Sequence, residues 1–236
     1  MDTTVAITGA TSGIGRAVAE AFVEAGASVA VSGRDGDAVD ATVAELTEIS
    51  DDADEGGAAW GARADVRDEF DLERFFENAT REFGPIDAVF ANAAVFHGAP
   101  GENPIDETAY SAFDDTMRTN ARGVFGTITE ALPHLAEDAR VIVPSGGIAH
   151  ESHPGMGAYA VSKAAAEAVA RGFAADIDAT VGVVDPGIVN TDLTGKEKAR
   201  DPESVAPLFV WAATEADADA LDGERLGLRE WKSATR

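Results

Sequence analysis

The stretch Thr4-Val5-Ala6-Ile7-Thr8-Gly9-Ala10-Thr11-Ser12-Gly13-Ile14-Gly15 decides the fold. Residues 4–7 are apolar and mostly β-branched, which suits a short buried strand. Three glycines follow, at positions 9, 13 and 15, and a helical run then carries Val18, Phe22 and Val23 to Gly26. Strand, glycine turn and helix make a phosphate-binding unit: glycine lets the backbone approach a phosphate, and the helix start offers free N–H groups and a positive dipole end. The spacing is Gly-x-x-x-Gly-x-Gly rather than the general Gly-x-Gly-x-x-Gly.

Working outward, residues 27–32 read as a second strand ending at Gly33-Arg34-Asp35. In a dinucleotide fold this strand end meets the adenosine ribose. An acid there holds a 2′-hydroxyl, and a nearby arginine accommodates a 2′-phosphate. Arg34 and Asp35 supply one of each. An acidic helix over 37–49, a polar loop over 51–57 and a third strand over 58–64 follow, then Asp65-Val66. Residues 69–83 read as a helix with Leu72, Phe75, Phe76 and Phe83 as its apolar stripe, and 86–91 as a fourth strand entering Asn92-Ala93-Ala94. The pattern over 105–136 is helical, yet Asn120 sits inside it, a poor helix former whose presence asks for a kink or a site. Strand five (140–143) enters Pro144-Ser145-Gly146-Gly147, and a serine just past a parallel strand's C-terminal end stands where ligands bind. A sixth strand (179–184), Asp185-Pro186-Gly187-Ile188-Val189-Asn190-Thr191, a helix over 202–213 and a short strand over 225–228 complete the chain. Strands alternate with helices throughout, which predicts one doubly wound parallel α/β sheet of Rossmann-like type, a single domain over 1–236 with its substrate site in loops at the strand C-termini.

Tyr159-Ala160-Val161-Ser162-Lys163 opens an alanine-rich helix to about residue 177. Residues four apart share a helix face, so the Tyr159 phenol and the Lys163 ammonium look into one space. A nearby cation lowers a phenol's pKa, which makes the pair a proton-transfer device.

Composition bounds the rest. No apolar run approaches the ~18 residues of a membrane span, no basic leader precedes the first strand, and Cys is absent. A cytoplasmic enzyme without disulfides or thiolate chemistry fits. Asp and Glu number 43 against 18 Lys and Arg, for a net charge of −25. The acids are spread, with only short runs such as Asp51-Asp52-Ala53-Asp54-Glu55. Such a balance argues against nucleic acid and resembles proteins of organisms with molar internal salt, where charges are screened within about 3 Å. His150 and His153 lack a nearby third ligand, so no metal site is expected.

Taken together these motifs resemble the short-chain dehydrogenase/reductase family over most of the chain, roughly residues 3–222. Thr8-Gly9-x-x-x-Gly13-Ile14-Gly15, with Thr11 and Ser12 in the turn, is similar to the family's cofactor turn. Asp65-Val66 is similar to its adenine-contact pair, and Asn92-Ala93-Ala94 to its Asn-Ala-Gly motif, with Ala94 for the glycine. Asn120, Ser145, Tyr159 and Lys163 stand at its active-site residues, and Pro186-Gly187 with Val189 and Thr191 at its nicotinamide segment.

The resemblance implies hydride transfer between a nicotinamide cofactor and an alcohol/carbonyl pair. Tyr159 would be the acid/base; Lys163 would lower its pKa and hold the nicotinamide ribose. Ser145 would hydrogen-bond the reacting oxygen, and Asn120 would hold a water in a proton relay. Gly146 stands where the family often has its second serine. The stretch 192–201 is short beside many members' lids and suggests an open site. The expectation is NADP(H), with NAD(H) open because of Asp35, a small carbonyl or alcohol substrate, no nucleic-acid or membrane partner, and a homo-oligomer, tetramer or dimer. A nucleotide-binding regulatory protein that lost turnover, and an epimerase or dehydratase on the same fold, are the alternatives.

Overall fold

The computed structural model describes the chain except residues 2, 53–55 and 196–197. Seven strands, β1 (Thr4–Thr8), β2 (Ser28–Gly33), β3 (Ala58–Arg63), β4 (Ile86–Phe90), β5 (Leu135–Pro144), β6 (Thr180–Asp185) and β7 (Arg225–Gly227), form one sheet in the order β3-β2-β1-β4-β5-β6-β7. Every neighbouring pair runs parallel. The helices are α1 (Gly13–Glu24), α2 (Gly36–Asp52), α3 (Glu69–Phe83), α4 (Tyr110–Met117), α5 (Gly123–Ala131), α6 (Gly157–Asp176), α7 (Pro202–Thr214), α8 (Ala218–Leu221) and α9 (Leu228–Ala234). The strand order reverses between β1 and β4, and the crevice at that point is where ligands bind in such sheets.

The central strands are apolar on both faces because helices cover both. One core layer holds Val18 and Phe22 of α1 with Leu208 and Phe209 of α7; the other holds Leu72, Phe75 and Phe76 of α3 with Ile128 of α5 and Ala166 and Ala170 of α6. Phe90 of β4 links α1 and α7, its ring meeting Phe22 edge-on at 5.7 Å and Phe209 at 6.3 Å.

Three readings need correction. The helix expected over 105–136 runs from 110 to 134, with its hydrogen-bond pattern changing along the way. A short 3₁₀ turn (Ile105–Glu107) precedes α4, and a π-helical turn (Arg118–Arg122) separates α4 from α5. Asn120, the poor helix former, sits in that wide turn. Strand five begins at Leu135 rather than 140, because Leu135 pairs with Ile86 before the register shifts. Of the loop expected over 51–57, residues 51 and 52 end α2, and 53–55 lie outside the described residues. No described helix is long and apolar enough to cross a membrane.

Candidate active site

A cavity of about 270 Å³ opens at the switch point. Gly9, Thr11, Ser12, Gly13 and Ile14 form one wall, Gly33, Arg34 and Val66 the adenosine end, and Asn92 to Val95 the floor; Ser145, Tyr159, Lys163 and Thr191 close the far end. Sequence-distant motifs thus converge on one space. Asp192 and Leu193 also line it, while 196–197 of the short lid stretch fall outside the described residues.

The glycine turn is built for close approach. A Cβ at Gly15 would sit 2.4 Å from Asn92 Nδ2 and 2.5 Å from the Gly9 carbonyl, so any other residue would push the turn off β4. That amide is the fastener: Asn92 Nδ2 donates to the carbonyls of Thr8 and Gly9 at 3.0 and 2.8 Å. The Ser12 side chain makes no capping bond to α1. The first N–H groups of α1 are those a bound phosphate would take.

At the adenosine end a Cβ on Gly33 would meet Thr11 at 2.8 Å, so glycine lets the two loops close together. Asp35 is engaged on the helix that follows. Its Oδ1 accepts from the N–H groups of Asp37 and Ala38 at 3.0 and 3.4 Å, capping α2. Arg34 lines the cavity. The buried Thr119 hydroxyl, also on the cavity wall, has no hydrogen-bond partner among the described residues. An orphaned polar atom in the wall and a glycine-lined phosphate turn both fit a nicotinamide dinucleotide.

Some expected contacts lie elsewhere. The Asp65 carboxylate grips Arg67 at 2.6 to 3.1 Å, which holds its pKa below the usual carboxylate range, and only its neighbours Ala64 and Val66 face the cavity. Gly15 lies behind the turn it permits. Val189 is packed in the core, and Pro186-Gly187 form a turn in which Asp185 Oδ1 accepts from the Gly187 N–H at 2.8 Å.

The Tyr159–Lys163 pair is as expected in placement and different in electrostatics. Lys163 is buried, and its Nζ donates to the Pro144 carbonyl at 3.0 Å. Burial pushes its pKa down to about 8, against an opposing pull from Glu167. Burial pushes the Tyr159 phenol up to about 12. Phe96 packs edge-on against the Tyr159 ring at 5.0 Å.

Asn120 uses its side chain as a brace. Oδ1 accepts from the Val95 N–H at 2.8 Å, while Nδ2 donates to the Val95 carbonyl at 2.9 Å and to Ser162 Oγ at 3.0 Å. Ser162 Oγ donates in turn to the Tyr159 carbonyl at 2.8 Å. Both amide protons are thus committed within the chain. The Ser145 hydroxyl likewise donates to Glu167 Oε1 at 2.6 Å rather than into the cavity. Glu167 and its partner Arg225 escaped the sequence reading. The available signal was an acid four residues after Lys163, inside an alanine run.

The family model described as short chain dehydrogenase matches residues 3–202. The chain belongs to that family. This short chain dehydrogenase is therefore an NAD(P)-dependent oxidoreductase with a Rossmann-like fold. It is 34% identical over 192 residues to the short chain dehydrogenase/reductase AacuN of Aspergillus aculeatus, covering 79% of this chain and 69% of that one. A dehydrogenase/reductase from Sinorhizobium meliloti is 28% identical with a TM-score of 0.83, over 95% of this chain and 92% of that one. An alcohol dehydrogenase from the archaeon Thermococcus sibiricus, solved with 5-hydroxy-NADP, is 26% identical with a TM-score of 0.82, over 96% and 95%.

Proposed function

We propose that this short chain dehydrogenase uses NADP(H) to reduce a small or medium carbonyl compound to an alcohol. The observation that carries the reading is the division of labour at the end of β2. Arg34 lines the cavity while Asp35 is spent on capping α2. A carboxylate already holding two backbone N–H groups is a weaker rival for a ribose hydroxyl, and an arginine makes charge-assisted, bidentate contacts to phosphate. The T. sibiricus neighbour was solved with an NADP derivative.

The bound cofactor supplies the hydride. The chain's residues hold it and handle the proton. Gly9 to Ile14 and the start of α1 would take the pyrophosphate, Arg34 the 2′-phosphate, and Lys163 and Thr191 the nicotinamide end. Tyr159, with its pKa pushed up to about 12, is protonated at neutral pH. It is placed to give that proton to the oxygen of a carbonyl substrate. Lys163 keeps a positive charge beside the phenolate that results. Asn120 fixes Val95 and the first turn of α6 so that the two groups stay in register.

A lysine-poor chain with spread acids suits a salt-rich cytoplasm, and the family relation together with the exposed apolar residues on α5 and α6 suits a homo-oligomer, dimer or tetramer. The test is a panel of aldehydes, ketones and alcohols in molar KCl, followed by NADPH and NADH absorbance. Consumption of NADPH with a carbonyl supports the reading; turnover with NADH alone contradicts the cofactor assignment.

A further inference from the structure

One turn beyond Lys163, α6 carries a second buried charge. Glu167 is 6% exposed, with Ala166 and Ala170 of the same helix packed in the core. Its Oε1 accepts from Ser145 Oγ at 2.6 Å and from Arg225 Nη2 at 2.6 Å, and its Oε2 pairs with the same arginine nitrogen. Arg225 comes from β7. Its Nη1 reaches the Gly146 carbonyl at 3.4 Å and the Asp185 carboxylate at 3.6 Å. The exits of β5 and β6 and the strand β7 are therefore tied to α6 at one carboxylate–guanidinium pair.

The hydrogen-bond count decides what this arrangement does. A serine hydroxyl has one proton to give, and Ser145 gives it to a carboxylate, the stronger kind of acceptor. The next residue, Gly146, has no side chain. Taking the Glu167 carboxylate away would leave the Arg225 guanidinium only the more distant Asp185 carboxylate, at 3.6 Å.

We propose that Glu167, clamped by Arg225, is a positioning residue of the reduction site: it takes the Ser145 proton, fixes the Ser145-Gly146 turn against α6, and leaves donation to the reacting oxygen to Tyr159. The inference rests on the carbonyl-reduction reading above. Glu167 and Lys163 are four apart and share a helix face, so the same carboxylate favours the Lys163 ammonium against burial. The other charged or titratable groups packed here are Tyr159 on α6, Asp185 on β6 and Arg225 on β7; β5 offers the Pro144 carbonyl.

The experiment compares Ser145→Ala, Glu167→Gln, the double variant and Tyr159→Phe, with NADPH and a carbonyl that the wild type reduces, in molar KCl. We expect Ser145→Ala to keep kcat within about tenfold, because the serine is not the donor. Glu167→Gln should lower kcat more than it changes KM, and should move the alkaline limb of the kcat/KM profile to lower pH as Lys163 loses its support. The double variant should match Glu167→Gln alone, since Ser145 acts through Glu167. A loss of about 10²–10³ in kcat for Ser145→Ala, the usual cost of an oxyanion donor, overturns the proposal, as does a pH profile that Glu167→Gln leaves in place. NADPH binding by fluorescence shows which variants are folded; if Glu167→Gln is not, Ser145→Ala decides alone. A wild type that reduces no carbonyl, or a Tyr159→Phe variant that keeps its rate, defeats the underlying reading and this one with it, whereas a damaged Ser145→Ala in an active enzyme defeats only this one.

Discussion

Lys163 Nζ stands 5.8 Å from the centre of the Tyr159 ring, both groups held in a space where burial moves their pKa values in opposite directions. The phenol rises to about 12 and the ammonium falls to about 8. At pH 7 the tyrosine holds its proton and the lysine still holds its charge. On the proposed reading the pair donates a proton, and its ability to carry the resulting negative charge ends where Lys163 deprotonates.

That ordering gives the first prediction. For carbonyl reduction, kcat/KM should be level below pH 7 and fall as pH rises through about 8, the pKa of Lys163 in the fold. The sign follows from a depressed lysine: below that pKa the ammonium is present, and above it the charge is lost. An exposed lysine would place the limb above about pH 10. Rates measured from about pH 6 to pH 10 check this; a flat profile across that range would remove Lys163 from the role.

Tyr159→Phe keeps the ring that packs on Phe96 and deletes only the hydroxyl. We predict a loss of at least about 10² in kcat, within the range usual for a general acid, with NADPH binding retained. Turnover within threefold of wild type would mean that another group supplies the proton.

The alternation of apolar strands and amphipathic helices made the sheet readable, because parallel strands buried on both faces leave a continuous apolar signal. Glu69–Phe83 was expected and found with the same ends, since Asp68 caps it with two backbone N–H bonds and Gly84 follows it. Gly9 to Ile14 follow the end of β1, and Tyr159 and Lys163 lie on α6, whose Lys163 reaches back to the Pro144 carbonyl at the end of β5. What sequence could not show is where short side chains point. Asp35 next to Arg34 leaves NAD(H) open by spacing alone, and only the structure shows its carboxylate capping α2. Ser145 reads as a donor to the reacting oxygen, and in the structure its hydroxyl donates a hydrogen bond to Glu167, 22 residues away. Both outcomes depend on partners that local spacing does not name.

The position of Asp35 leads to a prediction on cofactor choice. Removing the guanidinium in Arg34→Ala should cost about 1.5–3 kcal/mol of interaction with a 2′-phosphate, which is roughly ten- to hundredfold in kcat/KM for NADPH. NADH, which lacks that phosphate, should change little. The comparison belongs in both dilute and molar salt, because screening weakens the contact. Equal losses with the two cofactors would show that Arg34 acts on the fold and not on the phosphate.

Phe125 on α5 is 51% exposed and Val161 on α6 is 41% exposed. The Phe125 ring leans on Phe173 of α6 at 5.5 Å, so the two helices share an outward apolar patch. We predict a dimer or tetramer that buries it. Light scattering in molar KCl should give a multiple of the chain mass, and Phe125→Glu should lower it. A monomeric wild type at micromolar concentration speaks against the assembly.

The last prediction concerns salt. A net charge of −25 on 236 residues repels itself in the compact state more than in the expanded one. One acidic face lies on α2. Asp37, Asp40, Glu45 and Glu48 all stand exposed along α2, with Arg16 paired to Glu45 and to Glu20 of α1. Surface pairs of this kind contribute about 0–1 kcal/mol each, too little to offset so many like charges. At about 0.01 M salt the charges interact over about 30 Å, the width of a domain; at about 1 M they interact over about 3 Å, less than the spacing between neighbouring side chains. Stability should therefore rise steeply with salt. We predict that Tm increases by at least ~10 °C between dilute buffer and molar KCl, corresponding to roughly 2.5–5 kcal/mol for a chain of this size. Charge screening must be separated from the general strengthening of apolar burial by salting-out anions. A series in KCl and one in potassium sulfate at matched ionic strength make that separation. Most of the gain below about 0.5 M and common to both salts is the signature of screening. A gain seen only in sulfate, or a Tm independent of KCl, would detach the acidic surface from any adaptation to salt.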